Sequence, residues 1–261
     1  MRCTALLMMP LVTLALASPA LGEIVTKNVA YEHNGTQLEG YLAYDDETEG
    51  KRPGVLVVHE WWGLNDYAKR RARMLAELGY VAFCADMYGK GKVTDDPKQA
   101  SAWSGHLSGN AELWRARAAA GLDVLKKQSQ TDTDRLAAIG YCFGGSTVLQ
   151  LAYAGTDLNA VVSFHGSFPR PAEDANVNAS VLVCHGAQDD FAKPAQIQKW
   201  QARMDQIDAD WHMTTYAGAE HSFTNPAADE HGVDGVSYNK LADERSWAHM
   251  KLFFERLMAA P

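Results

Sequence analysis

Cysteine is scarce in this chain: four in 261 residues, at Cys3, Cys84, Cys142 and Cys184. That is too few for a fold built on disulfides, so folding has to rest on an apolar core. Proline is also sparse, at nine residues, and no Pro-, Gly- or Ser-rich linker, low-complexity stretch or internal repeat divides the sequence. Positive charge is in deficit: 24 Lys and Arg against 32 Asp and Glu leave a net −8. This speaks against a nucleic-acid partner or an anionic membrane surface. Apart from the N-terminus, no apolar run is long enough to span a bilayer, so no stable membrane insertion of the mature chain is expected. No His-Glu-x-x-His run or ligand-like spacing of histidines is present, and Gly89 and Gly91 read as a flexible turn rather than a phosphate cradle. Neither a metal nor a cofactor is expected.

Residues 1–22 read as a secretory signal. Arg2 supplies a positive start, Ala5 to Ala17 an apolar segment too short for an anchor, and Ala17, Ser18, Ala20 and Gly22 the small residues of a cleavage region. Cleavage near Gly22 predicts an exported protein, periplasmic or secreted. Losing Arg2 takes its charge from −8 to −9. The mature chain then keeps Cys84, Cys142 and Cys184, an odd number, so at least one thiol stays free unless another chain supplies a partner. Cys84 and Cys184 both lie in apolar strand runs, where a cysteine is usually buried and inert.

Hydrophobic residues make up 47% of the chain, which suits one α/β domain over residues 23–261. Val25 to His33 and Gln37 to Tyr44 pair as a hairpin around Asn34-Gly35. From Pro53 onward, short apolar strands alternate with helices. The strands are Val55–His59, Tyr80–Ala85, Leu136–Tyr141, Ala160–Phe164, Val181–Cys184 and Trp211–Tyr216. The helices run from Asn65 to Leu78, Ala111 to Gln128, Gly144 to Ala154, Pro194 to Ile207 and Leu241 to Met258. Strands that are apolar on both faces predict a mostly parallel central sheet with helices on both sides. Residues 87–110 form the longest irregular stretch and are expected to be loop and short helix, not a large lid domain. A monomer is favoured.

In such sheets the active residues follow the carboxyl ends of strands. Gly140-Tyr141-Cys142-Phe143-Gly144 sits where a strand gives way to a helix. The spacing resembles the nucleophile elbow of α/β-hydrolases, in which a strained turn lifts the central side chain above the sheet. Here that side chain is a thiol. A thiol nucleophile needs a base, and the base an orienting acid. His221, after the last strand, is the candidate base, with His165 and His185 as rivals that read as structural. Asp189 is the candidate acid, with Asp190 as its neighbour and alternative. Glu220 reads as a solvated loop charge. The backbone N–H groups of Phe143 and Trp61 are the expected oxyanion donors. Glu60 follows the strand that ends at His59. It is read either as a carboxylate tuning the thiol or as half of a structural ion pair with an arginine. Trp62, Tyr88, Lys90, Phe223 and Asn225 are candidates for the substrate pocket. Trp103 and Trp114 are read as packing residues first.

Five blocks taken in order resemble the dienelactone hydrolase family of α/β-hydrolases. They are His59-Glu60-Trp61-Trp62-Gly63, Ala85-Asp86-Met87-Tyr88-Gly89, Gly140 to Gly145, Gly186-Ala187-Gln188-Asp189, and Gly218 to Phe223. The resemblance covers the chain from about Val55 to the closing helix. It implies an α/β-hydrolase fold, a Cys142-Asp189-His221 triad and a functional Glu60. Family members that hydrolyse dienelactone hold its carboxylate with two arginines. The matching positions here are Asn225 and Lys90, so dienelactone itself does not carry over. The implied activity is hydrolysis of small carboxylic esters or lactones through an acyl-enzyme. The alternatives are a weakly active or non-catalytic binding module on the same scaffold, or a thioester hydrolase.

Overall fold

The computed structural model describes residues 23–259; the expected signal segment lies outside them. Strands β1 (Ile24–His33) and β2 (Thr36–Asp45) form the hairpin. Asn34 and Gly35 both sit at positive φ, 50° and 71°, as a tight two-residue turn requires. The strands β3 (Arg52–Val58), β4 (Val81–Ala85), β5 (Thr131–Tyr141), β6 (Ala160–Phe164), β7 (Ser180–Gly186) and β8 (Trp211–Tyr216) complete one eight-stranded sheet. Its order is β1-β2-β4-β3-β5-β6-β7-β8, antiparallel as far as the β2–β4 pair and parallel beyond it. Strand β5 begins earlier than the apolar pattern predicts. Its polar first residues pair with Arg52 and Pro53 before a register shift at Gly54.

The strands divide their side chains by alternation. Leu56, Val58, Phe83, Ala138 and Val183 point to the face covered by α3 (Ala111–Lys126), α4 (Phe143–Tyr153) and α5 (Pro194–Gln206). Val55, Val57, Ala82, Ile139 and Leu182 point to the face covered by α1 (Asp66–Glu77) and α6 (Lys240–Leu257). Burying one such aliphatic side chain contributes about 1.5–3 kcal/mol, and both faces are lined with them. The helix starts are set by side-chain caps: Asn65, Asn110 and Asn239 each accept from a backbone N–H two or three residues into the helix.

The loop and short helix expected between β4 and α3 are present. Residues 87–110 contain α2 (Pro97–Ser108), a twelve-residue helix capped by Asp96 with Pro97 in its first turn. Only Ala100 and Leu107 of α2 are buried, so its apolar periodicity is too thin to read from sequence. It packs on α3 at the carboxyl end of the sheet. Among the described residues no separate lid domain covers that end, and no helix is long and apolar enough to cross a membrane. Cys84 and Cys184 are free and buried. They lie on β4 and β7, with β3, β5 and β6 between them, too far apart for a disulfide.

Candidate active site

Cys142 joins β5 to α4 with φ 53° and ψ −116°, a conformation that costs a non-glycine residue of order 1–3 kcal/mol. Neighbouring glycines make the turn possible. A Cβ on Gly140 would sit 2.0 Å from the Gly144 carbonyl oxygen, and one on Gly144 would sit 2.1 Å from that of Val58. The strand, the turn and the helix can therefore approach only as backbone. The strain is held in place by the Cys142 N–H, which is shared between the Phe164 carbonyl and His165 Nδ1 at 3.0 Å each.

The loops after β7 and β8 are drawn together by backbone bonds, Ala187 N–H to Tyr216 O and Gln188 N–H to Ala219 O, both 2.9 Å. Gly186 allows this, because a Cβ there would meet Ala219 O at 2.5 Å. The result brings Asp189 Oδ2 to 2.9 Å from His221 Nδ1, while Asp189 Oδ1 accepts the Phe191 N–H. Both side chains are buried. Asp190 turns the other way, exposed and paired with Lys193. Nδ1 of His221 is thus committed to Asp189, which leaves Nε2 for the cavity that His221 and Cys142 both line. Burial alone would lower the His221 pKa. The negative charge and hydrogen bonding of Cys142, with the Asp189 hydrogen bond, outweigh it and push the group up to about 10.

The cavity holds about 440 Å³. Trp61 and Phe143, whose amides are the expected donors, stand in its wall. Phe143 is the first residue of α4, so its N–H has no intrahelical acceptor, and the Trp61 N–H is not used in the protein's own hydrogen bonds among the described residues. The Trp61 loop is fixed from outside. Gly63, at φ 96°, bridges to Val93, and a Cβ at Gly63 would meet Lys92 O at 2.2 Å.

Glu60 is fully buried and lies outside the cavity wall. Ser222 Oγ donates to its Oε1 at 2.8 Å and Asn225 Nδ2 to its Oε2 at 2.6 Å. Burial raises its carboxyl, and the two hydrogen bonds pull it part of the way back. Among the described residues it makes no ion pair with an arginine, and the carboxylate is held by neutral donors.

The five pocket candidates stand elsewhere. Trp62 is buried, with its ring stacked on His231 at 4.0 Å. Phe223 belongs to the core on the α6 face. Lys90 points outward to Glu39, and Asn225 holds Glu60. Tyr88 is buried behind the wall, with its ring against Phe143 and Trp103 and its hydroxyl near Ser104 and Cys142 of that wall. Trp114, read as packing, does reach the wall, stacked on Phe143 with its indole N–H on Thr147. Residues that pattern reading missed include Ser104 and Ser108, one turn apart on α2, and Phe191, whose ring lies 4.7 Å from that of His221. The Asp96-Pro97 cap was the available signal for the two serines, since it starts a helix on which i and i+4 share a face.

Behind the elbow lies a polar network. His165 Nδ1 accepts from Cys142, so its Nε2–H donates to Thr224 Oγ1 at 2.7 Å. Thr224 Oγ1 meets Tyr67 OH at 2.6 Å, and Arg71 binds Thr224 O and Asp243. His59 and His185 are buried as well, and burial lowers both. Among the described residues no three His, Cys, Asp or Glu side chains are grouped to hold a metal ion.

This arrangement has known relatives. The dienelactone hydrolase family model matches residues 38–258. The solved structure of m3DLH is 43% identical with a TM-score of 0.89, and the match spans 91% of this chain and 100% of that one. A dienelactone hydrolase-like promiscuous phosphotriesterase from metagenomic libraries is 40% identical, with the same TM-score and coverage. Protein usf of Aquifex pyrophilus is 27% identical over 88% of this chain and 98% of its own. The matched span runs from β2 through the elbow to the end of α6, so it takes in the sheet, the loops at its carboxyl end and the cavity between them. The chain belongs to the dienelactone hydrolase family of α/β-hydrolases, and it is a hydrolase whose site fits a carboxylic ester.

Proposed function

We propose that the protein hydrolyses small carboxylic esters or lactones with Cys142 as nucleophile. One observation carries this reading: a strained, partly buried thiol shares a cavity with an imidazole that is raised to about 10 and anchored by a buried carboxylate. At neutral pH such an imidazole keeps its proton, and the attacking form of Cys142 in the proposed cycle is the thiolate. The thiolate attacks the carbonyl carbon and the C=O electron pair moves to oxygen, where the Phe143 and Trp61 N–H groups receive it. Collapse breaks the C–O bond, and His221 Nε2–H protonates the departing alkoxide. The imidazole, now neutral, takes a proton from water as that water attacks the thioester. The second collapse expels Cys142 as thiolate beside a renewed imidazolium. Asp189 keeps the ring in the tautomer and orientation that both transfers need. Glu60 supports the cycle from behind the His221 loop, where its carboxylate holds Ser222 and Asn225 in place.

Purified Cys142→Ala protein should lose p-nitrophenyl acetate hydrolysis while keeping the wild-type circular dichroism. Undiminished turnover in that folded variant removes the mechanism.

Export by residues 1–22 is the second part of the proposal. Cys84 and Cys184 are compatible with an oxidising compartment, since burial raises both thiols, Cys184 up to about 12, and so withholds the reactive thiolate. Intact mass of the protein from a periplasmic or culture fraction should show a start near Gly22. A full-length chain confined to the cytoplasm would end that part of the reading.

A further inference from the structure

Among the described residues, the wall of the Cys142 cavity contains no Lys or Arg. Beside it lies a second groove, of about 710 Å³, which shares Phe168 and Gln196 with the cavity as a common boundary. That groove gathers Arg170, Lys199 and Arg203, in a chain whose net charge is −8. Lys199 and Arg203 stand one turn apart on α5, a like-charge spacing that slightly destabilises a helix. Arg203 is held in a fixed pose. Its Nη2 donates to the carbonyls of Ala172 and Glu173 at 2.9 and 2.7 Å, and its Nη1 to Gln206 Oε1 at 3.0 Å. All three acceptors are neutral, so the guanidinium is oriented without being neutralised. Among the described residues neither Arg170 nor Lys199 is in an ion pair. The nearby acid, Glu173, lines an adjoining recess with Arg170 and Arg203, and among the described residues it pairs with neither. Trp200 forms an apolar part of the groove, because its indole N–H is spent on Tyr153 OH at 2.6 Å.

We propose that this groove is an anion subsite, which receives the carboxylate end of an acyl chain whose ester carbonyl is seated at Cys142. The inference rests on the hydrolase reading and names its substrate class: esters of dicarboxylic acids, neutral around the carbonyl and anionic at the far end. The hydrocarbon spacer passes between Phe168 and Gln196 and lies along Trp200. The carboxylate takes the place where the composition of the chain otherwise disfavours an anion.

The test compares p-nitrophenyl monoesters of dicarboxylic acids, from adipate to sebacate, with the same chains capped as methyl esters. The readout is the ratio of kcat/KM for the anionic over the capped member, in which any general loss of activity cancels. At low salt the ratio should rise with chain length to about tenfold, and it should fall as sodium chloride is added. The double variant Arg170→Glu/Lys199→Glu should bring it below one. A ratio near one at every length, or a preference that the double charge reversal leaves in place, overturns the subsite while ester hydrolysis stands. If the wild type cleaves none of these esters, the hydrolase reading is what fails. Calorimetry with free suberate then decides the groove: binding that the double variant abolishes supports it, and absence of binding to the wild type overturns it.

Discussion

The two sides of the elbow are built from the same residue types and behave in opposite ways. In front, His221 faces the cavity with Asp189 on one nitrogen and the Cys142 sulfur beside it, and its pKa rises to about 10. Behind, His165 lies 5.3 Å away, ring to ring, and burial drives it well below the ordinary histidine range, with the charges of His221 and Arg71 pushing the same way. Both rings are buried. What separates them is the partner. The Cys142 sulfur, with the Asp189 carboxylate, stabilises the imidazolium, whereas a backbone N–H aimed at Nδ1 demands the neutral ring. The front can exchange a proton; the back is a fixed relay of hydrogen bonds from Arg71 to the Cys142 amide. Strain at Cys142 is thus supported from one side and opens onto the cavity on the other.

Substitutions in front should therefore cost rate, and substitutions behind should cost stability. The largest effect is expected at His221→Gln. Ester turnover should fall by about 10³-fold or more, since general acid–base transfer alone is worth 10²–10⁴. Iodoacetamide labelling of Cys142 at pH 7 should slow with the turnover. Fast labelling in that variant would show that the imidazole does not activate the thiol. Arg71→Met should do the reverse. It leaves Asp243 buried without its cation, at a cost of about 3 kcal/mol or more, which for a domain of this size is a drop of roughly 6–12 °C. A melting temperature within 2 °C of wild type would mean that the back network carries no load.

The front was legible in the sequence because its members sit at fixed offsets from strand ends. Gly140 to Gly144 and Asp189 follow apolar runs buried on both faces, at the ends of β5 and β7, and His221 follows β8, the alternating last strand at the sheet edge. The back was not. Arg71 and Asp243 are 172 positions apart, and nothing local marks Arg71 as different from its helical neighbours Arg70 and Arg73. Pocket walls were hidden for a related reason. Tyr88, Phe223 and Asn225 adjoin motif residues in sequence, but a loop alternates its side chains between cavity and core, and that choice is made by packing. Ser104 and Ser108 were missed because α2 buries one sparse face and gives only a weak helical period.

His165→Phe sharpens the contrast by keeping volume and removing both ring nitrogens. The Cys142 N–H retains Phe164 O and Thr224 Oγ1 retains Tyr67, so the expected cost is only about 1–3 kcal/mol. The pH dependence carries the sign. A histidine lowered on folding binds its proton in the unfolded chain first, so its contribution to stability is present above pH 6.5 and is lost as pH falls. His221, raised on folding, contributes below pH 6.5 and loses that contribution as pH climbs toward 10. Urea midpoints from pH 5 to 10 should show the acid limb flattened in His165→Phe and the alkaline limb flattened in His221→Gln. The same limb flattened in both variants would erase the distinction between front and back.

The smallest effect separates two adjacent carboxylates. Asp190→Asn removes an exposed charge paired only with Lys193, and should alter stability by less than about 0.5 kcal/mol and leave turnover unchanged. Asp189→Asn makes the same chemical change one residue earlier, where Oδ2 holds His221 Nδ1 and Oδ1 holds the Phe191 N–H. The amide can still accept one of those bonds, so the loop should stay folded. The imidazolium, however, loses the charge that helps to keep it protonated, and the alkaline end of the turnover profile should move to lower pH along with a fall in kcat. Residue type and position after β7 are nearly shared by the pair. A difference in turnover between the two variants can therefore come only from which carboxyl the β7–β8 loop packing turns inward, and equal losses would mean that the acid acts through the loop's fold and not through the ring.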